Sequence, residues 1–130
     1  MSEYDEQATL FSEILPLYWG KYPILHWIHA SLNGTFLHGR WGTINKAKAS
    51  GMVSGVWDIF VPVAVHCDDG SDYCGLYIEM KYGNNKLTDN QTAFREAVGD
   101  AYEWATCYSA VEAANVIGEY LGIDELRCLK

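Results

Sequence analysis

The sequence predicts a single α/β domain over residues 1–130. Three observations carry this: apolar residues at helical spacing near both ends, two short apolar runs separated by an acidic turn in the middle, and a capping-box pattern at Thr88. A chain of 130 residues suits one domain with a sizeable core. Residues 3–15 read as a helix, because Leu10, Phe11, Ile14 and Leu15 recur at helical spacing and Tyr18 continues the stripe. Pro16 predicts a break or kink there. Residues 25–30 read as a strand, followed by a turn at Asn33-Gly34. Residues 43–50 read as a short helix stopped by Gly51. Residues 58–66 and 74–82 read as two strands of an antiparallel hairpin joined by the acidic loop 68–73. Residues 88–98 read as a helix with Thr88 as N-cap and Gln91 at the third helical position. Residues 103–107 read as a short strand. A last helix over 109–121 should bury Val111, Ala114, Ile117, Gly118 and Leu121.

The hydrophobic fraction of 49% excludes a disordered chain. Nine Tyr and five Trp are many for this length, and core packing is the expected place for most of the rings, with a partner-binding surface as the alternative. The start, Met1 to Glu6, is acidic and has neither the basic nor the apolar region of a signal peptide. No apolar run approaches the ~20 residues that span a bilayer. The expectation is a soluble, intracellular, cytoplasmic protein without a membrane partner; for a phage-encoded chain that means the host cytoplasm.

Cys67, Cys74, Cys107 and Cys128 form no C-x-x-C pair, so a structural zinc site has no support. Cys67 and Cys74 flank the acidic loop and are expected to face each other across the hairpin as free thiols. The loop itself is too short for a calcium loop and lacks its closing bidentate Glu, which leaves a solvated turn. The net charge of −8 argues against a general nucleic-acid surface. Residues 33–95 nevertheless carry six bases against six acids, and the excess acid lies outside them. A neutral middle with a bound metal can hold DNA locally, with modest and steeply salt-dependent affinity.

The chemistry gathers where the two middle runs meet. Asp58 opens the first, and Glu79-Met80-Lys81 closes the second. On adjacent strands these groups share one sheet edge. Two carboxylates can hold a hard divalent cation, and Mg2+ or Mn2+ prefers oxygen ligands. The Met80 side chain points to the opposite face of its strand, which leaves its carbonyl as a third candidate ligand. Glu79 and Lys81 share a face, so the ammonium lies beside the carboxylate and within reach of a nearby water. Alone this triplet is a weak signal, since Glu-x-Lys on a strand face is commonly a solvated ion pair.

Around it stand Ser2-Glu3-Tyr4-Asp5-Glu6-Gln7, Asn33-Gly34, Lys48-Ala49-Ser50-Gly51, Gly55-Val56-Trp57-Asp58-Ile59-Phe60-Val61-Pro62, Gly75-Leu76-Tyr77-Ile78-Glu79-Met80-Lys81 and Leu87-Thr88-Asp89-Asn90-Gln91. In this order, across most of the chain, they resemble a stand-alone member of the virus-type replication-repair nuclease (VRR-NUC) family of the PD-(D/E)XK superfamily. The resemblance implies a restriction-endonuclease-like αβββαβ core, with a central mixed sheet flanked by helices. It implies Mg2+- or Mn2+-dependent cleavage of DNA, and a homodimer similar to resolvases that cut four-way (Holliday) junctions. Asp58 and Glu79 carry over as metal ligands and Lys81 as the catalytic lysine. One departure is clear: the family's usual proline before the aspartate is Trp57 here, which leaves the local strand geometry open.

For the first-helix acid, the resemblance favours Glu6 as a metal ligand. Helix geometry puts Gln7 nearer the centre of the apolar stripe and Glu6 at its edge, so Glu6 and Gln7 both stay open. Glu6 also reads as an exposed acid favoured by the helix dipole. Gln91 is a candidate catalytic residue whose capping-box role competes with that use. His26 and His29 face opposite sides of a regular strand and do not share a metal. His38, near Arg40 in a loop, and Lys46 and Lys48, on a helix, are candidate phosphate contacts with solvated surface as the default, and all four histidines otherwise read as structural or surface residues. Two other readings stand beside a junction endonuclease: a nickase or restriction-like enzyme on duplex DNA, and a catalytically silent DNA-binding assembly subunit.

Overall fold

Alternation along two short strands divides the molecule into two faces. The computed structural model describes residues 2–31 and 41–130. Its elements are α1 (Glu3–Thr9), β1 (His29–Ala30), α2 (Trp41–Ala49), β2 (Ile59–Val61), β3 (Val65–His66), β4 (Asp72–Tyr73), β5 (Leu76–Met80), α3 (Asp89–Val98), β6 (Glu103–Cys107), α4 (Ala110–Leu121) and α5 (Asp124–Arg127). The main sheet has the order β1-β2-β5-β6. Its first two pairings are antiparallel and β5–β6 is parallel. A parallel pair needs a crossover, and α3 supplies it. The sheet is therefore mixed and flanked by helices, as expected from the sequence.

Side chains two apart on a strand share a face. Ile59, Val61, Leu76, Ile78, Met80 and Cys107 turn inward and are wholly buried, together with Leu10, Leu15, Ala113, Ala114, Ile117 and Leu126 from the helices. Each large aliphatic side chain buried in this way is worth ~1.5–3 kcal/mol. The outward face carries rings instead. His29, Phe60, Tyr77 and Trp104 lie opposite one another across all four strands. Phe60 stacks on Tyr77 at 4.5 Å between centroids and Tyr77 on Trp104 at 4.8 Å. The expectation that most rings pack in the core holds in part: the fully buried cluster is aliphatic, Phe11, Tyr18, Tyr22 and Tyr120 pack against it, and among the described rings only Trp57 is fully buried.

The predicted first helix continues through a π-helical turn, Leu10–Ile14, into a 3-10 turn, Leu15–Tyr18, that holds Pro16 near its start. The strand expected over 25–30 is mostly a second 3-10 turn, Pro23–Trp27, and only His29–Ala30 pairs. Proline fixes its own φ and starts that turn. His26 consequently lies off the sheet, with its ring packed edge-on against Trp19 and Trp27. The hairpin of 58–66 with 74–82 is right in its antiparallel pairing but not in its continuity. Beyond Val61 the chain leaves the main sheet at Pro62, which has no N–H to donate, and β3–β4 forms a separate two-stranded sheet. Its register pairs Val65 with Tyr73 and His66 with Asp72, so Cys67 lies opposite Ser71 rather than Cys74. All four cysteines are free thiols. The His66 ring contacts the Asp72 carboxylate through Nδ1, and Asp69 closes the acidic turn by accepting from the Ser71 backbone N–H. In α4 the buried residues are Ala110, Ala113, Ala114, Ile117 and Gly118, so Val111 and Leu121 sit at the stripe's edge rather than its centre. Asn33-Gly34, His38 and Arg40 lie outside the described residues.

The α4–α5 corner depends on a missing side chain. A Cβ on Gly118 would stand 2.3 Å from the Arg127 backbone nitrogen and 2.8 Å from the Ile123 carbonyl oxygen. Backbone atoms cannot yield as a side chain can, so Gly118→Ala should destabilise the protein by about 1–3 kcal/mol. Gly20→Ala, with open space around the new methyl, should change stability far less. Urea unfolding of the two variants checks this.

Candidate active site

Extending the β2–β5 register by one residue sets Asp58 opposite Glu79, since Ile59 pairs with Ile78. Both residues occupy the outward face, one pleat beyond the Phe60–Tyr77 pair, and Lys81 follows on the same side. The two strands are stitched together by the carboxylates themselves. The Asp58 backbone N–H donates to Glu79 Oε1 at 3.1 Å, and the Met80 N–H donates to Asp58 Oδ2 at 3.0 Å. Lys81 Nζ stands 3.6 Å from Glu79 Oε2, and both side chains are largely buried. Gln91 Nε2 donates to the same Glu79 Oε2 at 2.8 Å.

These groups line a cleft of about 230 Å3, together with Glu3, Ser54, Gly55, Val56 and Thr88. Its electrostatics are unbalanced. Burial, followed by the charge of Asp58, pushes the Glu79 carboxyl up to about 8, against which the Lys81 charge acts only in part. Asp58 is also raised, by burial first, with Glu3 adding repulsion and the hydrogen bond from Met80 opposing it. Two like carboxyl groups this close and largely buried do not both carry a full charge unless a cation lies between them; without one the pair retains a proton.

The donors present fit a hard cation. Among the described residues no three of His, Cys, Asp and Glu cluster as metal ligands; the cleft offers a pair of carboxylates. Mg2+ and Mn2+ accept one or two carboxylates and keep several waters. Asp58 and Glu79 are such a pair. In an extended strand the N–H and C=O of one residue point to the same edge. The Met80 N–H points to Asp58, so its carbonyl lies on that edge too, while its side chain is buried in the core.

Gln91 closes the capping box and also reaches the cleft, and the two contacts do not compete. Its Oε1 accepts from the Thr88 backbone N–H at 2.9 Å, which closes the capping box, and this turns Nε2 toward Glu79. The first-helix assignment needs correction. Glu6 does not line the cleft; its Oε1 accepts from the Ala110 N–H at 2.8 Å, at the start of α4. A carboxylate there satisfies an orphan helix donor and the helix dipole. Gln7 is buried, and the acid that lines the cleft is Glu3, one turn earlier on the face that holds Gln7. Spacing of four residues from Gln7 was the signal that could have found it. Lys46 and Lys48 are exposed on α2. His29 packs against Phe60.

A scan against models of protein families finds no match, and neither does a comparison with curated proteins. Solved structures do match. One described as a "VRR_NUC domain protein" superposes with a TM-score of 0.68 over 95% of this chain and 90% of that chain, at 21% identity. The chain has the fold of a VRR_NUC domain protein. That fold is a mixed sheet flanked by helices, and the αβββαβ order expected from the sequence is present here as α1-β1-β2-β5-α3-β6. Among the described residues no helix is long and apolar enough to cross a membrane.

Two predictions follow from the geometry. A carboxyl group raised in the folded state binds its proton more tightly there than in the unfolded chain. Stability is then full below the unfolded value near 4.5 and is lost as pH rises toward about 8. Metal-free protein should therefore melt several degrees lower at pH 8 than at pH 5, and Glu79→Gln should flatten that slope in a thermal scan. The second separates Glu3 from Glu6. Glu6→Gln should lower stability by about 0.5–1 kcal/mol and leave Mn2+ affinity in calorimetry unchanged, whereas Glu3→Gln should alter Mn2+ affinity and leave stability nearly unchanged.

Proposed function

We propose that this protein is a divalent-metal-dependent DNA endonuclease with Mg2+ or Mn2+ as its cofactor and branched DNA, four-way junctions above all, as its substrate. The observation that carries the reading is the meeting of Asp58, Glu79, Lys81 and Gln91 in one cleft on the outward sheet face. Asp58, Glu79 and the Met80 carbonyl would hold the metal. When bound, such an ion stabilises charge on a phosphoryl oxygen and makes water more acidic.

The chain's own groups supply the rest. Lys81 sits beside the carboxylate that would hold the metal, where its ammonium can orient the attacking water and oppose charge developing on the phosphate. Its neighbour Glu79 limits how far Nζ can swing. Gln91 holds Glu79 Oε2 while the Asp58 N–H holds Oε1, so the Glu79 carboxylate cannot rotate freely. Glu3, at the cleft's rim, adds negative charge that favours a cation over an empty site. The net charge of −8 works against DNA, and a metal bound in the cleft offsets it locally. Two such clefts in a symmetric homodimer match the two symmetric strands of a junction; the resemblance of the sequence to junction-resolving nucleases supports this arrangement.

Labelled four-way junction, flap, nicked and linear DNA, incubated with Mg2+ or Mn2+, tests the reading. Paired symmetric cuts in the junction are expected, falling about 100-fold or more in Asp58→Ala and Lys81→Ala. Equal cutting of linear duplex would replace the junction reading by a nickase or restriction-like one. No cutting with either metal would leave a silent DNA-binding subunit.

A further inference from the structure

We propose that Trp57 is a positioning residue: its indole tethers the first turn of α3 to the strand that carries Asp58, and so fixes Gln91 against Glu79. The functional part rests on the nuclease reading above; the tether does not. Helix α3 buries none of its residues, so the aliphatic core does not set its place. Two indoles hold its ends instead. Trp57 Nε1–H donates to the Gln91 carbonyl oxygen at 3.0 Å, and Trp104 Nε1–H donates to the Gly99 carbonyl oxygen at 3.0 Å. The two rings meet edge to face at 4.9 Å.

The residues just before Trp57 grip the same turn. Gly55 adopts φ +97°, and a Cβ there would lie 2.5 Å from the Asn90 carbonyl oxygen, so only glycine allows the approach. Asn90 Nδ2 donates to Ser54 Oγ at 3.2 Å. Trp57 itself is 1% exposed. A buried indole N–H needs an acceptor, and the acceptor here belongs to the residue whose amide reaches Glu79 Oε2 at 2.8 Å. Where the VRR-NUC pattern fixes the backbone with proline, this chain has a side chain that ties backbone to helix.

Trp57→Phe keeps most of the ring and removes the donor; the benzothiophene isostere of tryptophan does so with almost no change of shape, should the phenylalanine variant fold poorly. Two readouts decide. The Gln91 side-chain amide, followed by 15N NMR without metal, should lose the shift of a hydrogen-bonded amide in the Trp57 variants and keep it in Trp104→Phe. In a double-mutant cycle, Trp57→Phe should lower kcat roughly five- to tenfold with KM unchanged, and should have no further effect in a Gln91→Met background. An unchanged Gln91 amide, or the same loss of kcat in both backgrounds, would overturn the proposal. A wild type that cuts no DNA would defeat the nuclease reading, while the amide signal would still judge the tether.

Discussion

Asp58 and Glu79 face each other across adjacent strands, mostly out of water, and repel. Much of the site reads as a response to that constraint. Asp58 is held by the Met80 N–H; Glu79 is held by the Asp58 N–H, by Gln91 and by Lys81. These contacts leave Glu79 raised to about 8, so the pair still seeks a positive partner. A buried arrangement of this kind is unfavourable for stability alone and is the kind of strain that accompanies a binding function.

The fold delivers the pair through a division of labour between faces. Aliphatic side chains on one face bind the sheet to the turns over Leu10–Tyr18 and to α4. The opposite face is left to rings and to the polar site, with α3 laid over it and held by indole hydrogen bonds rather than by a buried stripe. The site can therefore carry buried charge without disturbing the core, because its supports are hydrogen bonds and ring contacts placed around it.

Much of this was legible in the sequence, for physical reasons that differ by element. The two apolar runs around Asp58 and Glu79 read as an antiparallel pair, and strand geometry puts Glu79 and Lys81 on one face. The Thr88–Gln91 capping box is written in two residues and appears as read. Less legible were features set by single residues in context. Pro23 and Pro62 shortened strands that apolar content alone had extended. The cleft acid of α1 is Glu3, one turn before Glu6, because the face that holds the buried Gln7 continues back to it. No local pattern announces that the two ends of the Gln91 amide take separate partners or that the Trp57 indole reaches the Gln91 carbonyl.

The claim on which the rest depends is that the facing carboxylates form a cation site. Its most direct test is a crystal soaked in Mn2+ and measured for anomalous scattering. A peak is expected at about 2.0–2.3 Å from oxygens of both Asp58 and Glu79, absent in the Asp58→Asn variant. Anomalous density elsewhere, or none at the cleft, would contradict it.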